Sequence, residues 1–340
     1  MKLEQKEKMK IAFFEIHDWE IEILKAIFRE EELLFFKEEL NNENAGKAKN
    51  CEIISIFIYS KIDKGVLSKL PNLKFLATRS MGFDHIDLKK CKKRKIKVAT
   101  APHYGDNSVA EHTFGLILAL SRNIHKAYLR TVNKNYSIEG LKGFDIKGKT
   151  LGVIGVGRIG SHVVKIASGF EMNILANDHH PNKEIKRKCK YVSLDYLLKN
   201  SDIITLHVPY NKENHHLINA KTIEKMKTGA ILINTSRGPI VDTKAVVAAL
   251  KSGKLSGLGI DVLEGEELIK EEKELLHDIK KLDLKKMRQL ATDHDLLGNE
   301  KVVFTPHIAF YSEEAVQRIL EVTMQNIIAF IKNKPVNLIA

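Results

Sequence analysis

The chain has 340 residues, of which 44% are hydrophobic and 29% are charged. This length exceeds one typical core and suits two domains of about 100–200 residues each, with the composition of a globular protein. The longest apolar stretches fall well short of the roughly 20 residues that a membrane-spanning helix needs, and the first residues lack the apolar core of a secretory signal. We therefore expect neither a membrane segment nor a secretory leader.

The formal net charge of +12 raises the question of nucleic-acid binding. The densest basic run, residues 89–95, has no interleaved aromatic residues and so lacks the stacking platform of a single-strand binder. A solvated, lysine-rich surface is the simpler interpretation, and its positive field would help to attract small anions. We expect no nucleic-acid partner.

The cysteines, Cys51, Cys91 and Cys189, lie far apart with no paired spacing. Such spacing fits neither a disulfide framework nor a zinc site, and it is typical of a protein in a reducing cytoplasm. We therefore predict a cytoplasmic protein with no metal site.

Short buried strands alternate with helical patterns in the first hundred residues, which predicts a parallel sheet with helices on both faces. The helical spacing of apolar residues over 19–34 predicts one of these helices. The predicted strands lie at 10–15, 52–59, 75–78 and 98–100.

A second alternation follows a long helix. Ser108 and Glu111 form a capping-box pattern that predicts the start of this helix. Residues 266–297 are a charged insertion of helical character, and a final helix is predicted over 313–332. The predicted strands lie near 150–154, 173–177, 202–206, 230–234, 257–261 and 302–305. We expect an α/β protein with two parallel-sheet domains.

A G-x-G-x-x-G segment directly follows one of these strands and opens a helix, which is the context of a dinucleotide-binding turn. Gly155 would permit the tight turn, Gly157 would let a pyrophosphate approach the backbone, and Gly160 would allow close helix–strand packing. The phosphates would sit on free N–H groups at the positive end of the helix. The next strand ends at Asp178, whose carboxylate would accept hydrogen bonds from the ribose hydroxyls and repel a 2′-phosphate. We therefore predict NAD as the cofactor.

Arg237, Glu266 and His307 each follow a predicted strand of the second half. The carboxyl ends of parallel strands are where open α/β sheets bind ligands. We therefore interpret these three ionisable residues as one candidate catalytic group.

With these segments in view, the sequence resembles the D-isomer-specific 2-hydroxyacid dehydrogenases, most of all the D-lactate dehydrogenase branch. The resemblance runs from about Lys10 to the C-terminus. It implies two Rossmann-like or flavodoxin-like parallel-sheet domains with a cleft between them. The ordered segments that carry it are 79–84, 109–112, 151–160, 206–209, 234–238, 259–262 and 305–307.

The resemblance implies a role for each catalytic candidate. His307 would be the acid/base that protonates the alkoxide left by hydride transfer, a task suited to histidine near neutral pH. Glu266 would hold the His307 ring and favour its protonated form. Arg237 would bind the substrate carboxylate and polarise the carbonyl. Glu264 competes with Glu266, but its offset from Asp261 departs from the family pattern. The neighbouring Glu267 is a second alternative to Glu266.

The resemblance also implies substrate and cofactor contacts. Backbone amides around Met81 and Gly82 would bind the substrate carboxylate. Tyr59, Tyr104 and Tyr311 would line a small pocket that favours pyruvate. The further cofactor contacts that carry over by motif are Arg158, Ile159, His207, Val208, Pro209, Asn214, Thr235 and Asp261.

Relatives build one domain from both chain ends, which implies a substrate-binding domain of residues 1–105 plus 308–340 and an NAD-binding domain of residues 106–307. Because the helix from Ser108 makes the dimer contact in relatives, we expect a homodimer. The implied reaction is NAD-dependent conversion between pyruvate and D-lactate. A reductase of glyoxylate, hydroxypyruvate or another 2-oxo acid is the nearest alternative. An NAD-sensing binding protein, like the corepressors of this superfamily, is an alternative from a different class.

Overall fold

The computed structural model describes residues 8–270 and 284–340. The chain divides into two compact units. Unit 1 comprises Met1–Tyr104 and Ser312–Ala340, and unit 2 comprises Gly105–Tyr311. Each unit is built on its own parallel sheet, which confirms the predicted α/β class. Among the described residues, no helix is long and apolar enough to cross a bilayer.

Unit 1 contains a five-stranded parallel sheet in the order β2-β1-β3-β4-β5. Strands β3 and β4 are buried along their whole length, as expected for a sheet that is covered on both faces. The strands are β1 (Lys10–Phe13), β2 (Glu32–Phe35), β3 (Ile53–Ile56), β4 (Phe75–Thr78) and β5 (Lys97–Ala99). The described helices are α1 (Asp18–Ile27), α2 (Lys64–Ser68), α3 (Leu88–Lys93) and α12 (Glu313–Ile331), with a 3₁₀ turn at Ala45–Ala48.

The predicted helix over residues 19–34 is wrong in its last part. Helix α1 ends at Ile27, and the chain then forms the edge strand β2, in which Glu32 is paired with Lys10 of β1. The apolar residues that follow the turn fit a helical pattern and a strand pattern equally well when they are considered without the rest of the chain. Pairing with β1 decides the outcome, because tertiary context overrides helix propensity.

Unit 2 contains a seven-stranded parallel sheet in the order β12-β11-β10-β9-β6-β7-β8. The strand order reverses at β6, whose neighbours are β7 and β9, and such a reversal is where doubly wound sheets bind ligands. The strands are β6 (Thr150–Ile154), β7 (Asn173–Asn177), β8 (Lys190–Tyr191), β9 (Ile203–Leu206), β10 (Ala230–Asn234), β11 (Leu255–Ile260) and β12 (Val302–Phe304). The described helices are α4 (Asp106–Ser121), α5 (Ile124–Val132), α6 (Arg158–Gly169), α7 (Leu194–Asn200), α8 (Ala220–Glu224), α9 (Thr243–Ser252), α10 (Glu266–Lys270) and α11 (Leu284–Leu297), with a 3₁₀ turn at Gly238–Ile240.

The predicted capping box at Ser108 is wrong. Helix α4 begins at Asp106 with Gly105 as its N-cap residue, and Ser108 lies buried inside the first turns. The Val109 amide already donates to the Gly105 carbonyl, so the helical hydrogen bonds start before the expected position. The helix ends at Ser121, because Asn123 adopts a left-handed conformation (φ 52°) before α5 begins.

The predicted insertion at residues 266–297 is helical where the structure describes it. Helix α10 begins at Glu266, and α11 packs against α9 and β12. The rest of the insertion, residues 271–283, lies outside the described residues.

Candidate active site

The three catalytic candidates lie at one edge of the unit 2 sheet. Strand β10 leads to Arg237, β11 to Glu266 and β12 to His307. These strands are neighbours, and the last residue of each is paired with the last residue of the next. The loops that carry the three side chains therefore leave the sheet side by side at its carboxyl edge, as predicted from the sequence.

His307 and Glu266 are in direct contact. The Nδ1 atom of His307 lies 3.3 Å from Oε2 of Glu266, and the side chains are 30% and 16% exposed. His307 has a left-handed backbone (φ 57°), which is uncommon for a residue with a side chain and is often found at functional sites. Because Nδ1 faces the carboxylate, Nε2 on the opposite side of the ring points away from it.

Asp261 holds the turn that carries His307. Its carboxylate is fully buried at the end of β11. Oδ1 accepts hydrogen bonds from the Thr305 hydroxyl (2.5 Å) and the Ile308 amide (2.9 Å), and Oδ2 accepts one from the Ala309 amide (2.8 Å). These contacts bracket His307 on both sides, so Asp261 fixes the direction in which the imidazole leaves the backbone.

His112 on α4 extends this network. Its Nε2 lies 2.8 Å from the Thr305 hydroxyl and 3.6 Å from Oδ1 of Asp261. The single Thr305 hydroxyl proton goes to Asp261, so His112 donates from Nε2 to Thr305. Burial lowers the pKa of His112, and the Asp261 charge opposes that effect only in part. His112 is therefore a neutral donor that supports the His307 turn.

The Arg237 turn is built by Asn234, the buried last residue of β10. The Asn234 side chain accepts from the Ser236 amide (3.0 Å) and donates to the Arg237 carbonyl (2.9 Å). The half-buried Arg237 guanidinium donates from Nη1 to the Ser236 carbonyl (2.8 Å). A Cβ on Gly238 would lie 2.1 Å from the Leu263 backbone, so the loops after β10 and β11 pack closely only because residue 238 is glycine.

The glycine turn between β6 and α6 has the geometry expected of a phosphate cradle. Gly155 has φ 87°, and a Cβ there would lie 2.6 Å from the His207 carbonyl oxygen. A Cβ on Gly160 would lie 2.1 Å from the Gly155 carbonyl oxygen. A Cβ on Gly157 would instead enter open space at the start of α6. A twelve-residue helix thus begins at a point where a pyrophosphate can approach the backbone, and these residues fit a dinucleotide.

Asp178 lies at the end of β7 beside this turn. Its Oδ2 accepts a hydrogen bond from the Val156 amide (2.6 Å), and its Oδ1 accepts one from the His180 amide (2.7 Å). The carboxylate thus helps to shape the glycine turn and keeps lone pairs for further donors. The Arg158 Nε donates to Asp106 (2.5 Å) in the same unit.

His207 and Thr235 are fixed by side-chain hydrogen bonds. The His207 ring lies 2.9 Å from the Thr205 hydroxyl, and desolvation lowers its pKa to about 3, so the ring is neutral at physiological pH. The Thr235 hydroxyl lies 2.9 Å from that of Thr113, and both residues are buried.

The remaining predicted cofactor residues make different contacts within unit 2. Val208 and Pro209 follow β9, and a Cβ on Gly155 would lie 2.7 Å from Val208. Ile159 packs against a core cluster of unit 2. The Asn214 side chain accepts from the Asn211 amide and donates to the Pro209 carbonyl, so it stabilises its own loop.

The predicted substrate residues of unit 1 follow adjacent strands. Tyr59 comes after β3, Met81 and Gly82 after β4, and Tyr104 after β5, so they lie at the carboxyl edge of that sheet. Tyr59 and Met81 are exposed. The Ser80 hydroxyl donates to the Gly82 carbonyl (2.6 Å), which tightens the loop around Met81.

Glu15 is a unit 1 residue that sequence reasoning missed. It is buried with φ 53°. Its carboxylate accepts from the amides of Phe57 (2.9 Å), Tyr59 (2.9 Å) and Ser60 (3.2 Å) and from the Ser60 hydroxyl (2.5 Å). Glu15 therefore fixes the loop that presents Tyr59. The signal in the sequence is weak, since Glu15 stands only as an acid at the end of an apolar run.

Tyr311 belongs to unit 2 and follows His307 closely. Its exposed ring packs edge-on against Phe310 (centroids 5.8 Å apart), and Phe310 in turn lies edge-on to the His307 ring (6.5 Å). The tyrosine therefore lies on the same turn as the candidate acid/base.

Comparison with known proteins identifies the family. Residues 114–309 match the family model described as "D-isomer specific 2-hydroxyacid dehydrogenase, NAD binding domain". The chain belongs to this family. It is thus an NAD-dependent oxidoreductase of 2-hydroxy acids, as the resemblance implied.

Several members of the family match this dehydrogenase over most of its length. The D-lactate dehydrogenase of Escherichia coli is 38% identical over 94% of this chain and 96% of its own. The glyoxylate reductase of Thermofilum pendens is 40% identical over 81% of this chain and 76% of its own. The crystal structure of the D-lactate dehydrogenase from Aquifex aeolicus, complexed with NAD and lactic acid, superposes with a TM-score of 0.84 at 39% identity, covering 95% of this chain and 96% of that one.

In this family member, Glu266 and its competitor Glu264 have different partners. Glu266 contacts His307, whereas Glu264 lies 2.9 Å from Nε2 of His216. The preference for Glu266 over Glu264, which was based on the distance in sequence from Asp261, therefore identified the acid that faces His307.

Proposed function

We propose that this dehydrogenase converts pyruvate to D-lactate, with His307 as the acid/base, Glu266 as its partner and Arg237 as the substrate clamp. The observation that carries the proposal is the 3.3 Å contact between His307 and Glu266 beside the loop of Arg237. The D-lactate dehydrogenases among the relatives support the choice of substrate pair.

The three side chains divide the work. Glu266 accepts a hydrogen bond from Nδ1 of His307 and so orients the ring. Nε2 of His307 then delivers a proton to the developing alkoxide. The Arg237 guanidinium binds the substrate carboxylate through two donors and stabilises negative charge on the reacting oxygen. Bound NADH supplies the hydride, so the protein contributes orientation and electrostatics.

We propose that the cradle of Gly155, Gly157 and Gly160 binds the NAD pyrophosphate and that Asp178 binds the adenosine ribose. The open space beyond Gly157 supports the first role. The position of Asp178 at the end of β7, next to the turn, supports the second. The further contacts proposed for the cofactor are Arg158, Ile159, His207, Val208, Pro209, Asn214, Thr235 and Asp261.

We propose that unit 1 is the substrate-binding domain, with carboxylate-binding amides around Met81 and Gly82. Tyr59, Tyr104 and Tyr311 would line a small pocket. The exposure of Tyr59, Met81 and Tyr311 supports these roles, because a binding residue must be reachable. A small tyrosine-lined pocket favours pyruvate over bulky 2-oxo acids.

A reductase of glyoxylate or hydroxypyruvate is the second candidate, supported by the similarity to the glyoxylate reductase. A substrate panel decides between the two. Purified enzyme is mixed with NADH and pyruvate, glyoxylate, 2-oxobutyrate, phenylpyruvate or hydroxypyruvate, and NADH absorbance is followed. We expect the highest kcat/KM with pyruvate and only the D-isomer in chiral analysis of the product. A higher value with glyoxylate, or L-lactate as the product, would contradict the proposal.

We further propose a homodimer. Helix α5 carries an apolar face in which Ile124, Tyr128, Leu129 and Val132 are each more than half exposed. Such a contiguous face is typical of a surface that is covered by a partner, here a second copy of the chain. Light scattering should give twice the chain mass for the wild type and the mass of one chain for a Tyr128→Glu, Leu129→Glu variant. A monomeric wild type would contradict the proposal.

We also propose a cytoplasmic location. The thiols of Cys51 and Cys91 are buried, and burial raises the pKa of each to about 11, so they are unreactive. Free cysteines of this kind are typical of a reducing compartment. Cell fractionation should recover the protein with cytoplasmic markers.

A further inference from the structure

Three ligand-type side chains meet on unit 2 at a place that the proposed chemistry does not use. His215, His216 and Glu264 each offer one ligand atom, and these atoms all lie within 4.8 Å of one another. Within residues 8–270 and 284–340, no other group of three or more histidine, cysteine, aspartate or glutamate side chains meets this criterion. The three residues come from the loops after β9 and β11, so the fold rather than local sequence brings them together. The prediction of no metal site rested on the spacing of the cysteines and did not consider this group.

The two histidines are held by the backbone of their loop. His216 has a left-handed conformation (φ 51°), and its amide donates to the Pro239 carbonyl (2.9 Å). Its own carbonyl accepts from the Asn219 side chain (2.8 Å). The His215 and His216 rings are stacked, with centroids 3.9 Å apart and planes inclined by 22°. This conformation turns two consecutive side chains toward the same side, which an extended strand would not do.

Glu264 is anchored from the opposite side. Its carbonyl accepts from the Gln289 side chain on α11 (3.2 Å), and the next residue, Gly265, has φ 76°. Oε1 of Glu264 lies 2.9 Å from Nε2 of His216. The Glu264 and His216 side chains are 25% and 31% exposed, and His215 is exposed, so solvent can reach the cluster.

We propose that His215, His216 and Glu264 form a binding site for a divalent transition-metal ion of the zinc class. Two imidazoles and one carboxylate are a ligand set that zinc accepts, with water in the remaining position, and imidazole also suits copper and nickel. Ligands at about 2.0–2.1 Å from a tetrahedral ion lie about 3.3 Å apart. The ligand atoms of the cluster lie within 4.8 Å of one another, and binding requires the two stacked rings to turn until a nitrogen of each faces the ion. The exposed side leaves space for the water ligand.

This site is distinct from the catalytic group. Glu264 contacts His216, whereas Glu266 contacts His307. Metal binding therefore does not depend on the proposed reaction, and it is measured on the full-length protein by binding and spectroscopy rather than by activity.

The test is a titration with Zn²⁺ in competition with a chromogenic chelator, followed by replacement with Co²⁺. We compare wild type with His216→Gln and Glu264→Gln. The matched control is the double variant His179→Gln, His180→Gln. It removes another adjacent histidine pair of the same unit, and no third ligand atom lies close enough to that pair among the described residues. Thermal unfolding without metal checks that each variant is folded.

We expect wild type and the control to bind one Zn²⁺ per chain and to give the visible absorption of tetrahedral Co²⁺. Loss of a residue that only hydrogen-bonds to a metal ligand weakens metal affinity by up to about 100-fold. Loss of one of the ligands themselves should therefore weaken binding by at least about 100-fold. Equal affinity of wild type and both folded variants would overturn the proposal. So would loss of binding in the control alone, because the ion would then belong to His179 and His180.

Discussion

Replacement of Asp261 by asparagine should destabilise unit 2 and slow the reaction. Oδ1 of this buried carboxylate serves Thr305 and Ile308, and Oδ2 serves Ala309. An asparagine keeps one acceptor oxygen, so its NH₂ group would face the Ala309 amide. One hydrogen bond to a charged acceptor contributes about 1.5–3 kcal/mol, and a buried unsatisfied donor costs about 1–3 kcal/mol. We therefore expect a loss of about 3–5 kcal/mol in the free energy of unfolding.

Urea unfolding followed by fluorescence measures this loss, and pyruvate reduction measures its effect on the site. Because the His307 turn relaxes, kcat should fall at least about tenfold, since a displacement of about 1 Å can cost about 100-fold. Asp295→Asn is the matched control, because Asp295 makes an exposed ion pair with Lys251 (2.6 Å) that is worth at most about 1 kcal/mol. An Asp261→Asn enzyme with the unfolding midpoint and kcat of wild type would refute the reasoning.

Three further predictions concern other residues. Asp178→Ala should relax the preference for NADH over NADPH, and undiminished discrimination in kcat/KM would contradict the role of its carboxylate. Glu15→Gln should raise the KM for pyruvate while NADH affinity stays within a few fold, because this acid fixes the Tyr59 loop. Titration of the enzyme with pyruvate and with NADH measures both effects, and an unchanged KM would contradict the role of Glu15. For His207, desolvation lowers the pKa to about 3, so the native state favours the neutral ring. The stability that depends on the neutral ring is complete above the unfolded pKa of about 6.5 and is lost as the pH falls toward about 3. His207→Asn should thus lose less stability than wild type between about pH 7 and about pH 5 in urea titrations, and equal losses would contradict it.

The parts of the site that were predictable rest on local backbone demands. The glycine turn has no room for a Cβ atom at Gly155 or Gly160, and the sequence shows this requirement directly as glycines at fixed spacing. The placement of Arg237, Glu266 and His307 after strands follows from the same logic, because parallel strands end at one edge.

What was missed depends on contacts between distant segments. The sequence of strand β2 alone predicts the end of a helix, and only its pairing with β1 makes it a strand. Glu15 meets the Tyr59 loop across more than forty residues, and His112 meets Thr305 across 193. No short window of the sequence contains both partners. The acid at Glu264 illustrates the same limit, since its partner His216 is 48 residues away.

The central claim is that His307, oriented by Glu266, supplies the proton. Single-turnover and steady-state kinetics of His307→Ala, together with NADH binding by fluorescence, test it most directly. We predict that kcat for pyruvate falls by several orders of magnitude while the Kd for NADH stays within a few fold of wild type. A His307→Ala enzyme with the kcat of wild type would contradict the claim.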